Sequence, residues 1–427
     1  MNVQPEFRLG TSRQRVILAG VRGPRQTPDE IQEHLEELSR LTETAGGTVS
    51  GVFVQERQRR DPARVLGRGK IEEMARAVES LRAGLVIFDE DLSPAQARNL
   101  ERDLGVPVLD RAGLILDIFA LRARSREARV QVELAQLRYL LPRLTRRWTH
   151  LERQAGGIGV RGVGETQLET DRRLIQKRIA HLESKLGRIE QERGQRRKRR
   201  SEAPQVALVG YTNAGKSTLL NRLTGAGAFV EDRLFATLDP LVRQGSDGFS
   251  RFLFIDTVGF IRKLPPQLVA SFRSTLEEAR EADVLLHVVD ASDASLEDHM
   301  KTTRQILAEM KLDDKPVITV FNKADRLAAE SDRLALLRIE PSAVLVSAVE
   351  GRGMEVLRRV LEEAAAEETV MGQAAVDPAA GSAIARIHAI ADVLGSAMVD
   401  GKLVIRYRAR RKDAASLGRL IQEAGGS

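Results

Sequence analysis

The stretch PQVALVGYTNAGKSTLLNRLTG (204–225) decides the fold. A short β-rich run ends at Gly210, four residues separate it from Gly215, and Lys216-Ser217 opens a helical pattern. Gly-x4-Gly-Lys-Ser between a strand and a helix is a phosphate-binding loop. The backbone N–H groups of Gly210, Tyr211, Thr212, Asn213, Ala214 and Gly215 line a cradle, and the helix N-terminus adds a partial positive charge. Lys216 reaches the terminal phosphates, the Ser217 hydroxyl suits Mg2+, and Thr218 completes the phosphate-binding set.

Four further elements follow in order. LFATLDP (234–240) brings Thr237, suited to complete the Mg2+ shell and to sense the γ-phosphate as a catalytic group. RFLFIDTVGF (251–260) is an apolar strand ending in Asp256-Thr257-Val258-Gly259, with Asp256 on the metal side and the Gly259 N–H facing the γ-phosphate. VITVFNKAD (317–325) ends in Asn322-Lys323-Ala324-Asp325, and AVLVSA (343–348) ends in Ser347-Ala348. The Asp325 carboxylate can accept two adjacent guanine donors, N1–H and the 2-amino group. Adenine offers neither, and a desolvated, unpaired carboxylate costs about 1–3 kcal/mol or more. Asn322 is expected to brace the loops, Lys323 to lie along the base, and the Ala348 N–H to meet the 6-oxo group. The set specifies GTP or GDP with Mg2+, the metal held by Ser217, Thr237 and Asp256.

Residues 204–366 therefore read as a Ras-like P-loop GTPase domain within a longer α/β chain. With 427 residues and 42% hydrophobic content, the chain is globular and long enough for several cores. It holds no cysteine, which removes disulfides and thiolate metal sites and fits a reducing compartment. No apolar run reaches membrane-spanning length and MNVQPEFRLGTSRQRV has no signal-peptide core, so a cytoplasmic monomer is expected, with at most peripheral membrane association.

Residues 1–123 alternate strand and helix patterns, which implies a small parallel α/β domain. RVILAGV (15–21) is followed by a Thr27-capped helical pattern, TVSGVFVQ (48–55), GKIEEMARAVESL (69–81), GLVIFD (84–89), a helix opened by Ser93-Pro94, VPVLD (106–110) and RAGLILDIFALRA (111–123). Residues 124–200 hold two heptad stripes: Val130, Leu134, Leu137, Leu141, Leu144, and Leu168 followed by Ile175, Ile179, Leu182, Leu186, Ile189. Such stripes mark a narrow helix–helix seam, and an antiparallel coiled-coil arm is the expected pairing. Between them lies GGIGVRGVGETQLETDRR (156–173), whose glycines build no core; the loop 153–165 is expected at the arm's tip.

The charge is segregated. Residues 121–200 carry 22 Lys/Arg against 9 Asp/Glu, while the remainder carries 45 against 51. A solvated helix face is the plain reading of such a run. The sharper one is a phosphate-binding footprint for nucleic acid, with Arg153, Gly156, Gly157, Arg161 and Gly162 as contact residues. Trp148 either anchors the loop base or stacks on a base. Past a linker at 367–380, residues 381–427 read as a small α+β domain with a hairpin turn at Asp400-Gly401 and basic residues at Arg406, Arg408, Arg410, Arg411 and Lys412.

GGIGVRGVGETQLETDRR upstream of the P-loop domain resembles the hallmark of the HflX family of ribosome-associated GTPases. The resemblance covers nearly the whole chain, and it implies binding to the large ribosomal subunit and, in bacteria, splitting of stalled or idle ribosomes. Ribosomal RNA is then what the basic arm touches. One position departs from many Ras-like proteins: Phe260 follows Gly259 where a glutamine would orient the attacking water. Hydrolysis is therefore expected to be slow alone and stimulated by ribosomes. His287 and His299 are the nearest histidines, and both read as structural. Two other functions fit parts of the sequence: a signalling GTPase whose arm binds a protein, and a nucleotide-driven RNA-remodelling enzyme using GRGK (67–70) as a second phosphate site. The central basic charge favours the ribosome.

Overall fold

The computed structural model describes residues 14–144, 163–197, 203–227, 234–235, 241–263, 279–312, 314–367 and 369–423. Thr237 and the predicted contact residues Arg153, Gly156, Gly157, Arg161 and Gly162 lie outside them. The chain forms two compact units. The first holds residues 1–189 with 231–239 and 262–274, and the second holds 190–230, 240–261 and 275–427.

The first unit opens as the alternation predicts. It runs β1 (Arg15–Arg22), α1 (Pro28–Thr44), β2 (Thr48–Glu56), α2 (Arg68–Leu81), β3 (Leu85–Phe88), α3 (Pro94–Leu104), β4 (Val108–Asp110) and α4 (Arg111–Arg122). The four strands are parallel in the order β2-β1-β3-β4. Capping boxes at Thr27 and Ser93 start α1 and α3, each with a proline in the first turn where the missing N–H costs nothing. At GRGK, Gly67 is the N-cap residue of α2 and its own N–H donates to Gln55 Oε1 at 2.7 Å.

The heptad stripes lie on α5 (Arg126–Leu140) with the residues after it, and on α6 (Val163–Arg197). Val130, Leu134 and Leu137 share one buried cluster with Ile175 and Leu182, with Leu141, Leu144, Ile179 and Leu186 packed at its margin. Ion pairs Arg138–Glu183 at 2.6 Å and Arg178–Glu133 at 2.7 Å flank the seam. The picture of two helices buried only on each other needs correction. Ala128, Val132, Ala135 and Tyr139 are buried on α5 as well, and α5 packs on α4. The Tyr139 hydroxyl donates to Asp110 Oδ1 at 2.7 Å and Arg143 pairs with Asp110 Oδ2 at 2.6 Å, tying this helix to the end of β4. VQVELAQL carries apolar residues on two faces, and the heptad count registers only one of them.

The second unit contains a six-stranded sheet in the order β10-β9-β8-β5-β7-β6, parallel except for β6. Its strands are β5 (Gln205–Val209), β6 (Leu241–Gln244), β7 (Leu253–Asp256), β8 (Val284–Asp290), β9 (Val317–Asn322) and β10 (Val344–Leu345). The helices are α7 (Lys216–Thr224), α8 (Leu296–Glu309), α9 (Glu330–Ile339) and α10 (Met354–Glu367). Val206, Leu208, Leu220, Phe254, Leu286, Val320 and Leu357 share one core, which holds the C-terminal strand ends in a single row.

The tail corrects the expected linker. Residues within 367–380 form β11 (Thr369–Val376), an edge strand paired antiparallel with β13 (Lys402–Arg410). With α11 (Gly381–Ile390), β12 (Asp392–Val399) and α12 (Arg411–Glu423) it makes a three-stranded sheet in the order β11-β13-β12. TVMGQAAV buries Ala374 and Val376 against Ile405 and Leu417, and small residues hide that alternation from a hydropathy reading. The hairpin turns at Asp400-Gly401, both at positive φ, as expected.

Candidate active site

Two glycines fix the phosphate loop. Gly210 leaves β5 at φ +147°, and a Cβ there would come 2.1 Å from the Val288 carbonyl oxygen. Gly215 sits at φ +87°, with Asn322 Nδ2 at 2.3 Å from where its Cβ would stand. Both positions combine a left-handed backbone with close approach, and only glycine supplies both. Asn213 also takes a positive φ, 63°, so the loop turns twice before α7 begins.

Lys216 is 6% exposed and curls back, its Nζ donating to Gly210 O at 3.0 Å and Tyr211 O at 2.8 Å. Burial lowers its pKa to about 8, against the opposing pull of Asp256. Ser217 Oγ lies 2.9 Å from Asp256 Oδ2. This hydroxyl and this carboxylate, from the start of α7 and the end of β7, are the oxygen pair that a Mg2+ beside a phosphate loop takes. The donor set fits the metal. Thr257 faces elsewhere: its hydroxyl donates to Leu208 O at 2.6 Å and fastens β7 to β5. Val258 is buried.

Gly259 lies against the phosphate loop. A Cβ there would meet Thr212 Cγ2 at 2.7 Å and Lys216 Nζ at 3.0 Å. Phe260 is 2% exposed, and its backbone clasps the loop: its N–H donates to Gly210 O at 3.0 Å, and its carbonyl accepts from the Thr212 N–H at 2.7 Å. The ring is core, and it presents no polar group to a water.

The residues expected to read the base converge from the ends of β9 and β10. Asn322 Nδ2 donates to Ala214 O at 3.0 Å, and its Oδ1 accepts from the Ala348 N–H at 3.1 Å. The Ala348 N–H expected at a 6-oxo group is thus engaged by Asn322. Asp325 accepts from Ser347 Oγ at 2.5 Å, and that hydroxyl holds the carboxyl below its ordinary pKa. Lys323, at φ 62°, pairs with Asp290 at 2.6 Å.

Three features escaped the sequence reading. Asp290 ends β8 and positions Lys323; its signal was the acidic residue closing HVVD. Arg222 on α7 donates to Ala348 O at 3.1 Å and Val349 O at 2.6 Å, holding the base loop from below. His299 stacks on Tyr211 with ring centroids 3.7 Å apart. No spacing rule forecasts those last two. His287 is buried in β8, and burial lowers its pKa to about 3, which leaves it neutral.

Three family models match this chain: "GTP-binding GTPase N-terminal" over residues 32–120, "GTP-binding GTPase Middle Region" over 122–200, and "50S ribosome-binding GTPase" over 205–323. The chain is 51% identical over 312 residues to GTPase HflX of Flavobacterium psychrophilum, covering 73% of this chain and 76% of that protein. It belongs to the HflX family of GTPases. GTPase HflX of Escherichia coli is 46% identical over 366 residues, 85% of this chain and 86% of that one. Among solved structures, a GTP-binding protein from the archaeon Sulfolobus solfataricus in complex with GDP is 26% identical. It aligns over 83% of this chain and 99% of its own, with a TM-score of 0.44. By its family, this HflX chain is a GTP-hydrolysing enzyme with a P-loop domain. Among its described residues no helix is long and apolar enough to cross a membrane.

Proposed function

We propose that this HflX-family chain is a ribosome-dependent GTPase of the cytoplasm. It binds the large ribosomal subunit as a monomer, contacts ribosomal RNA through its basic middle segment, and helps to split stalled or idle ribosomes. The burial of Phe260 carries this reading: a ring at 2% exposure in the water-orienting position supplies no group to hydrolysis, so an outside partner must. The printed description of the model matching 205–323 and the segregation of basic charge into residues 121–200 support the ribosome as that partner.

The chain divides functionally into an N-terminal α/β part (1–123), a middle part with loop 153–165 as RNA contact (124–200), the G domain (204–366) and a C-terminal domain. We start that last domain at about 369 and not at 381, a choice supported by the strand Thr369–Val376. Ser217, Asp256 and Thr237 would hold Mg2+, which supplies charge neutralisation on the β- and γ-phosphates. Gly210 through Thr218 cradle those phosphates, the Gly259 N–H meets the γ-phosphate, and Asn322, Lys323, Asp325 and Ser347-Ala348 enclose guanine.

The test replaces Arg153 and Arg161 by alanine. The proposal gives these arginines a role in binding and not in folding, so melting and ribosome-free turnover should hold. Affinity for large subunits should fall, with a salt dependence shallower by about one unit of slope per lost phosphate contact. Unchanged binding would remove the loop from the interface.

A further inference from the structure

The loop that follows β10 is built around Ser347, which is buried. Its N–H donates to Arg352 O at 3.0 Å and its carbonyl accepts from the Gly351 N–H at 2.7 Å. Its hydroxyl accepts from the Glu350 N–H at 3.2 Å and donates to Asp325 Oδ1 at 2.5 Å, so the Asp325 carboxylate takes its position from this loop. Burial does not hold the next stretch, since Val349 is 72% exposed. A single guanidinium holds it instead. Arg222 Nε donates to Ala348 O at 3.1 Å and Nη2 to Val349 O at 2.6 Å, charge-assisted bonds from one planar fork. The fork lies close to Gly351, where an added Cβ would stand 3.1 Å from Nη2. Arg222 is in the last turn of α7, whose core contacts are made by Leu219, Leu220 and Leu223, and Lys216 and Ser217 open the same helix.

We propose that Arg222 is a positioning residue for guanine selectivity. By fixing the carbonyls of Ala348 and Val349 it holds Ser347 in place, and through Ser347 it holds the Asp325 carboxylate where both guanine donors can reach it. Arg222 itself touches no part of the nucleotide. Its effect is therefore on discrimination at the base, and it is larger for a base with two donors than for a base with one. The inference rests on the proposed guanine reading by Asp325 and is independent of the ribosome. The wild-type chain tests that reading and the variants test Arg222, so the two fail separately.

The full-length chain is loaded with a fluorescent GDP in the presence of Mg2+, and GDP and inosine diphosphate compete for the site. Inosine diphosphate lacks only the 2-amino donor, so the ratio of the two affinities reads the second hydrogen bond to Asp325. The wild type should prefer GDP by about tenfold or more. Absence of that preference would remove the guanine reading, and this inference with it. Arg222→Ala should lower GDP affinity by about tenfold and inosine diphosphate affinity by about threefold or less, so the preference shrinks. Arg222→Lys keeps the charge without the fork and should restore part of the preference. Ser347→Ala cuts the next link and should shrink the preference as well, and adding Arg222→Ala to it should shrink it no further. The proposal is overturned if Arg222→Ala keeps the wild-type preference, whether both affinities hold or both fall together; the second result would make Arg222 a prop of the fold alone. It is equally overturned if the two losses of preference add in the double variant.

Discussion

The side-chain amide of Asn322 donates to the carbonyl of Ala214 at 3.0 Å, joining two residues 108 apart in sequence. Through its Oδ1 the same side chain holds the Ala348 N–H, so one 2%-exposed residue fastens the phosphate loop to the base loop. Asn322→Ala leaves a buried carbonyl and a buried N–H without partners, each worth about 1–3 kcal/mol. Both GTP and GDP affinity should fall by at least about tenfold, with a lower melting temperature. Equal affinity in a nucleotide titration would show that the loops stay registered without Asn322.

In the proposed function the guanine preference rests on a single carboxylate, that of Asp325. Asp325→Asn should weaken GTP and strengthen xanthosine triphosphate, because xanthine presents an acceptor where guanine presents its amino donor. Ser347 Oγ, at 2.5 Å, can donate to an amide oxygen as it does to the carboxylate, so the loop keeps its shape. Competition between the two triphosphates measures the switch, and an unchanged preference would remove Asp325 from base recognition.

Close packing makes a separate prediction. Gly215→Ala would place a methyl about where Asn322 Nδ2 now stands, 2.3 Å from the new carbon, on a backbone at φ +87°. The clash separates the phosphate loop from Asn322 while leaving the Lys216 and Ser217 side chains present. Nucleotide binding should be lost, with the rest of the sheet intact by circular dichroism. Full binding by Gly215→Ala would contradict the packing.

His287 sets a pH dependence of stability. Buried and neutral, it has a folded pKa of about 3 against an ordinary 6.5. Between those values the unfolded chain binds a proton that the folded chain does not, so stability is full above about pH 6.5 and is lost as pH falls. The loss is about 1.4 kcal/mol at pH 5.5. His287→Gln should flatten this dependence. Melting temperatures of both proteins at pH 7 and pH 5.5 give the comparison, and parallel losses would mean that His287 does not titrate this way.

Much of this was legible in the sequence because the chemistry of the site is local. Gly210 to Ser217 is one contiguous motif, and the other motifs each close a strand, so the parallel sheet brings their ends into one row. What the sequence concealed depends on contacts between distant elements. Arg222 reaches Ala348 across 126 residues, and His299 meets Tyr211 only because α8 packs beside the phosphate loop. The strand β11 looks like a linker in the sequence because alanine and glycine carry little hydropathy signal, although they fit a face covered by Leu417 and Ile421. The second buried face of α5 is hidden in the sequence because a heptad stripe accounts for one seam and its other apolar residues look incidental.

The most direct test of ribosome dependence is steady-state GTP hydrolysis by the full-length chain, with and without purified large ribosomal subunits. Because Phe260 is buried and orients no water, turnover alone should be slow, and the subunits should raise it by at least about an order of magnitude. The Arg153→Ala, Arg161→Ala double variant should keep the slow rate and need more subunits to reach the fast one. Equal turnover with and without large subunits, or fast hydrolysis by the chain alone, would contradict the ribosome as the source of the missing catalytic group.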